Sequence, residues 1–185
     1  VDTTVSRDEA IALVRKHIRK ENNVKHMIAV GAIMREVALR LGEDPETWEA
    51  VGILHDIDFE LCRGLEDHTL MARDMLAGVL DGEAIRSIMA HNERMGIPLD
   101  TLMKKALVAS DAASGLVVAS ALVMPTKRLE EVRPETLMKK YRDKDFARGA
   151  DRSRMRVALE LGMTLEAFMA AALAGMKRVS GELGL

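Results

Sequence analysis

GILHDIDFEL, residues Gly52–Leu61, closes an apolar run that begins at Trp48, and it does so with a histidine beside an aspartate and a second aspartate two places on. Trp48, Val51 and His55 recur at spacings of three and four, the period of one helix face. A helix built for a core therefore carries ionisable groups. Such groups must be paired, neutralised or bound to a metal, because burying an unpaired charge is costly.

The same period dominates outward from this stretch, and strand-like alternation is nearly absent. Ser6 and Glu9 form a capping box that opens a helix to about Glu21. A second helix is predicted from about Val24 to Leu41, stopped by Gly42, and a third from Pro45 to near Asp58. Asp67 is the expected cap of the helix in HTLMARDMLAG, Gly82 precedes one ending near His91, and MGIPLD is a loop. A long helix from about Thr101 ends at Pro125. After Pro134 come ETLMKKY, a basic turn RDKDFARGADR, and two helices separated by Gly162. The expected fold class is all-α: one domain over 1–185, a compact bundle of roughly eight to ten helices.

Composition narrows the function classes. The 185 residues carry 27 basic and 29 acidic side chains, mixed along the chain, for a net charge of -2. That balance predicts neither a nucleic-acid polymer nor a membrane surface as partner. A single cysteine, Cys62, excludes an internal disulfide framework and a multi-thiolate zinc site, and fits the cytoplasm. VDTTVSRDEA has no signal-peptide pattern. Ala106–Met124 is long enough to span a bilayer, but Asp111 and three serines within it predict a buried helix of a soluble protein.

Projected on their helices, His26 lines up with Val30, Ile33 and Val37, and His55 continues the Trp48–Val51 face with Asp56 beside it. His68 shares a face with Ala72 and Met75, His91 with Ala84 and Ile88, and Asp111 with Leu107, Ser114 and Val118. His17 lies at the edge of its amphipathic helix and is an ordinary boundary residue. Each of the others taken alone is more often a satisfied core residue; six together point to a shared metal site. Imidazole and carboxylate suit iron, manganese, nickel, cobalt or zinc.

The order His26, His55-Asp56, His68, His91, Asp111 on successive helices resembles the HD-domain metal-dependent phosphohydrolases over roughly residues 22 to 125, with 126–185 as a helical extension. ILHDIDFE, AHN, ASDAASGLVVASALV and KKYRDKDFARGADR look like a small bacterial and archaeal group of that superfamily. The GYP stretch of the cyclic-dinucleotide phosphodiesterases is absent. The resemblance implies one or two divalent transition-metal ions. His26, His55, Asp56 and Asp111 would hold the first, His68 and His91 the second, with Asp56 bridging.

The implied reaction is hydrolysis of a phosphate ester, a nucleotide or another small phosphorylated metabolite, by metal-activated water. The same ligands also resemble the mixed-valent diiron oxygenases of the superfamily, and a metal-stabilised regulatory module without catalysis is a third reading. Asp56 and Asp58 are the expected catalytic carboxylates. Asp58 would orient a ligand histidine or position water, the alternative being a solvated helix end. Lys104 and Lys105 before the Asp111 helix, and Arg148 and Arg152 beside a predicted helix start at Asp151, are expected at the substrate phosphate. Arg63 and Arg94 are further basic candidates, and the thirteen methionines either line an apolar pocket or fill the core. The oligomeric state stays open.

Overall fold

The computed structural model describes residues 5–185; residues 1–4, the start of the stretch read above as lacking a signal peptide, lie outside the described residues. Ser6 caps α1 (Arg7–His17) reciprocally: its hydroxyl accepts from the Glu9 N–H at 3.3 Å, and the Glu9 carboxylate accepts from the Ser6 N–H at 2.9 Å. The helix stops earlier than Glu21 because the carboxylate of Glu60 accepts the N–H groups of Arg19 and Lys20, both at 3.0 Å. Glu21 instead opens α2 (Glu21–Leu41), which ends at Gly42 with φ of 75°.

Asp44 caps α3 (Pro45–Leu54) through the N–H groups of Glu46 and Thr47. Here sequence and structure differ: the helix expected to reach Asp58 ends at Leu54, and turns carry the chain through Leu61. After them come α4 (Leu70–Leu76), α5 (Gly82–His91, capped by Asp81) and α6 (Leu102–Leu122, capped by Thr101). The C-terminal third forms α7 (Pro134–Arg142), α8 (Arg152–Arg156), α9 (Leu165–Arg178) and α10 (Ser180–Leu183). No strand forms among the described residues, apart from one isolated bridge between Ala77 and Leu80. The fold is an all-α single-domain bundle.

Two helices organise it. α2 packs on α3, α9 and α6, and α6 carries α5 and α8 on other faces. α6 is the one described helix long and apolar enough by itself to cross a membrane, yet 61 % of that window is buried inside the bundle. Met27, Met34, Met155, Met169 and Met176 are fully buried in the same cluster as Phe168, so these methionines fill the core.

The tightest joint is between α2 and α3. A Cβ added to Gly52 would stand 2.7 Å from the Cα of Gly31 and 2.8 Å from its nitrogen, so the two glycines let the backbones touch. This contact sets how closely α3 lies on α2, and therefore how near His55 comes to His26. Gly52→Ala is expected to destabilise the protein by about 1–3 kcal/mol, the usual cost of overpacking. Urea unfolding of the metal-free protein measures it, and metal titration of the same variant should show weaker binding as His55 is displaced.

Candidate metal centre

Four imidazoles and two carboxylates from α2, the end of α3, the following turns, α5 and α6 converge on one point. Nε2 of His26 lies 3.2 Å from Oδ1 of Asp111 and 3.8 Å from Oδ2 of Asp56. Nε2 of His55 lies 3.4 Å from Oδ2 of Asp56 and 3.8 Å from Oδ1 of Asp111. The other oxygen of Asp56, Oδ1, faces Nε2 of His68 at 3.3 Å and Nε2 of His91 at 3.2 Å. Asp56 thus divides the six residues into two adjoining sets, one on each oxygen.

Every ring is turned by its Nδ1. His55 and His91 sit at helix C-termini, and their Nδ1 atoms bond to the carbonyls of Gly52 (2.8 Å) and Ile88 (2.5 Å), each three residues back. A carbonyl only accepts, so these Nδ1 atoms carry the proton and Nε2 presents a lone pair. Ser114 donates its hydroxyl proton to the Asp111 carbonyl at 2.8 Å, and it therefore accepts from Nδ1 of His26 at 3.2 Å. Nδ1 of His68 bonds to Oδ1 of Asp58 at 2.8 Å.

These atoms fit metal ions. Nε2 of His55 is buried with no hydrogen-bond partner, and Nε2 of His68 and His91 face each other at 3.2 Å. Lone pairs in that arrangement repel unless a cation or proton stands between them. Ligands about 2.1 Å from one ion lie about 3.0–3.4 Å apart, for right-angled to tetrahedral arrangements, close to the spacings seen. The partly negative C-terminal ends of α3 and α5 also favour a cation there. The clusters accommodate one or two divalent transition-metal ions, of the kind that imidazole and carboxylate bind.

The family model described as HD domain matches residues 23–122, more than half of the chain. The chain belongs to the HD domain family. No curated protein and no solved structure shows significant similarity to it. Family and clusters together make this HD protein a metal-dependent phosphohydrolase of the HD superfamily.

Behind the HD centre, Asp58 is fully buried, which excludes the solvated helix-end alternative. Besides His68, its carboxylate accepts the N–H groups of Thr69 (2.7 Å) and Ala72 (2.9 Å), capping α4 from a distance; Asp67, the expected cap, has no such role. It orients a histidine and does not face the cleft, so it is a positioning group. Thr69 holds φ of 73°, an unfavourable left-handed conformation for a β-branched residue. Asn92, beside His91, fixes the segment by donating to the carbonyls of Leu65 (2.8 Å) and His68 (2.9 Å). Cys62 adjoins Asp58 and His68, but burial, reinforced by Asp58, pushes its thiol up to about 12, away from thiolate chemistry.

Electrostatics in the metal-free HD centre follow from burial. It pushes His55 down to about 4. For His68 burial acts the same way but is outweighed by Asp56 and Asp58, which hold it up at about 9. Burial raises Asp56 and Asp111, yet the surrounding histidines win and keep both below the usual carboxylate range.

His26 and Asp111 open onto a cleft of about 470 Å³, whose far wall includes Gly149, Ala150, Asp151 and Arg154. Arg154, which sequence reasoning missed, reaches Oδ2 of Asp111 at 3.3 Å, the His91 carbonyl at 3.0 Å and Glu93 at 3.1 Å. The expected phosphate residues are not brought there. Lys104 pairs with Asp100 (2.7 Å) and Glu83 (3.3 Å), and Lys105 with Glu160 (3.3 Å). Arg148 is exposed and pairs with Asp145. Arg152 is spent on six backbone carbonyls between Lys140 and Ala150, folding the basic turn on itself. Arg63 has no ion pair among the described residues, and Arg94 approaches Glu66 at 3.7 Å.

Asp58→Asn is expected to weaken the ion at His68 and His91 by about 10–100-fold while sparing the other, the usual effect of losing a ligand-orienting partner; elemental analysis after dialysis against graded chelator reads both. Metal loading should also release a proton. Metal-free His68 is protonated below about 9, so an ion at its Nε2 displaces that proton and binds more tightly as pH rises towards 9. Calorimetry in buffers of different ionisation enthalpy, with His68→Ala as control, counts it.

Proposed function

We propose that the substrate is a small phosphate monoester, hydrolysed at the cleft beside His26 and Asp111. In this reading His26, His55, Asp56 and Asp111 would hold one ion, and His68, His91 and Asp56 would hold the other. Residues 22–125 form the metal-binding core, and 126–185 form the substrate-facing extension of the same domain. The observation that carries the proposal is Arg154, a guanidinium on the wall opposite the ligands that adjoins Asp111.

When bound, divalent ions supply Lewis-acid polarisation of phosphoryl oxygens and lower the pKa of a bound water. The chain supplies the rest. Arg154 has an Nε proton and one Nη1 proton without a protein acceptor among the described residues, and its Glu93 partner is 80 % exposed. An ion pair that open to solvent is weak. A phosphate dianion takes the guanidinium from Glu93 with little loss, and Arg154 then fixes the phosphoryl group against the ligands, neutralising charge as it develops. Asp56 and Asp111 stay ionised throughout the neutral range, and Asp58 keeps His68 in one orientation.

The test is phosphate release from a panel of phosphomonoesters by the metal-loaded protein under anaerobic conditions. Arg154→Ala is expected to lower kcat/KM by about 10²-fold with metal content unchanged. Substrate-dependent oxygen consumption without phosphate release would replace this reading with the oxidative one.

A further inference from the structure

A second cleft, about 540 Å³, runs between α2 and α6 and meets the first. The two share His26, Ser114 and Gly115, so the ligand histidine stands at their junction. Beyond it the walls are aliphatic: Ala29 from α2, Val118 and Leu122 from α6, and Leu183 and Leu185 from the end of the described chain. Asn22, exposed, and Lys25, half-buried, stand one turn or less before His26 and form the polar rim.

Gly115, in the middle of α6, stands where the two clefts meet. A glycine inside a helix is unfavourable relative to alanine, and usually has a packing or backbone reason. Gly31, Gly52 and Gly175 have one, since a Cβ on any of them would run into a neighbouring helix. Gly115 has none: its φ is not positive, and a Cβ there would meet nothing within 4 Å. Gly115 is exposed and lines both clefts, so the open space over it lies where they meet. A side chain at 115 would project into the junction across which a molecule held at the metal centre extends into the aliphatic groove.

We propose that Gly115 is a specificity-determining residue, and that the alcohol part of the substrate is an aliphatic chain lying over it in the α2–α6 groove. This rests on the phosphomonoester reading above and narrows its substrate class. The phosphoryl group stays between the ligands and Arg154, while the chain leaves past Ser114 and Gly115 towards Val118 and Leu122. Burial of methylenes in such a groove strengthens binding by up to about fourfold each.

The experiment has two readouts on the metal-loaded protein: calorimetric titration with methyl-, butyl- and octylphosphonate, which cannot be hydrolysed, and phosphate release from the matching alkyl phosphates. Affinity is expected to rise by about two- to fourfold per methylene until the groove is filled. Gly115→Leu should flatten the series and Gly115→Ala should reduce its slope. Gly115→Ala should also raise the thermal midpoint, as alanine is the better helix former. Metal content and thermal midpoint report that both variants are folded. Equal affinity along the series in the unaltered protein, or a series that survives Gly115→Leu, overturns the inference. Chain-length-dependent phosphonate binding with no ester hydrolysed would support the groove and overturn the reaction proposed above. Phosphate release with no such dependence would overturn only the groove.

Discussion

A carboxylate set among four imidazoles is the arrangement around which α2, α3, α5 and α6 are fitted. Asp56 offers one oxygen to His26 and His55 and the other to His68 and His91. Left without a cation, the lone pairs would repel; protons meet part of that demand, most clearly at His68. The rings cannot turn away, because each Nδ1 is held from behind. Two of those holds use carbonyls at the ends of α3 and α5, groups a helix terminus leaves unpaired in any case. Ending a helix at a histidine thus solves a backbone problem and aims a ligand at once.

Most of this was legible in the chain. Helix boundaries came from the Ser6 capping box, Pro45, Gly82 and Gly162; the structure adds Asp44, Asp81 and Thr164, whose side chains accept orphan N–H groups at the starts of α3, α5 and α9. Helical period placed His26, His91 and Asp111 correctly on α2, α5 and α6, whereas Asp56 and His68, expected on helices, stand in the turns between α3 and α4. His26, His55, Asp56, His68, His91 and Asp111 do meet, and the apolar α6 is a core helix.

What was not legible depends on contacts between distant segments. α1 stops early because Glu60, forty residues on, takes the N–H groups of Arg19 and Lys20. Asp67 looked like a cap by position, but Asp58 reaches the start of α4 first. Lys104, Lys105 and Arg152 carry the right charge at plausible spacings. Their partners, Asp100, Glu83, Glu160 and a ring of carbonyls, are fixed only in three dimensions. Arg154 lies two residues past Arg152, about 200° around a helix, and a sequence gives no sign of which of the two faces the cleft. The one available signal was that opposition itself: in RSR after an Asp cap, the two arginines cannot serve the same side.

α4 is only seven residues long, too short to hold together on local interactions. Its first turn exists because Asp58 receives Thr69 and Ala72, and the same carboxylate steers His68. The start of a helix and the aim of a ligand are therefore one structural event. In the proposed two-ion arrangement, occupancy of the ion at His68 and the ordering of residues 69–76 would form a single thermodynamic cycle, in which metal affinity carries the cost of whatever folding the segment has not already done. Changes inside α4, far from any ligand atom, would then set how readily a one-ion protein becomes a two-ion protein.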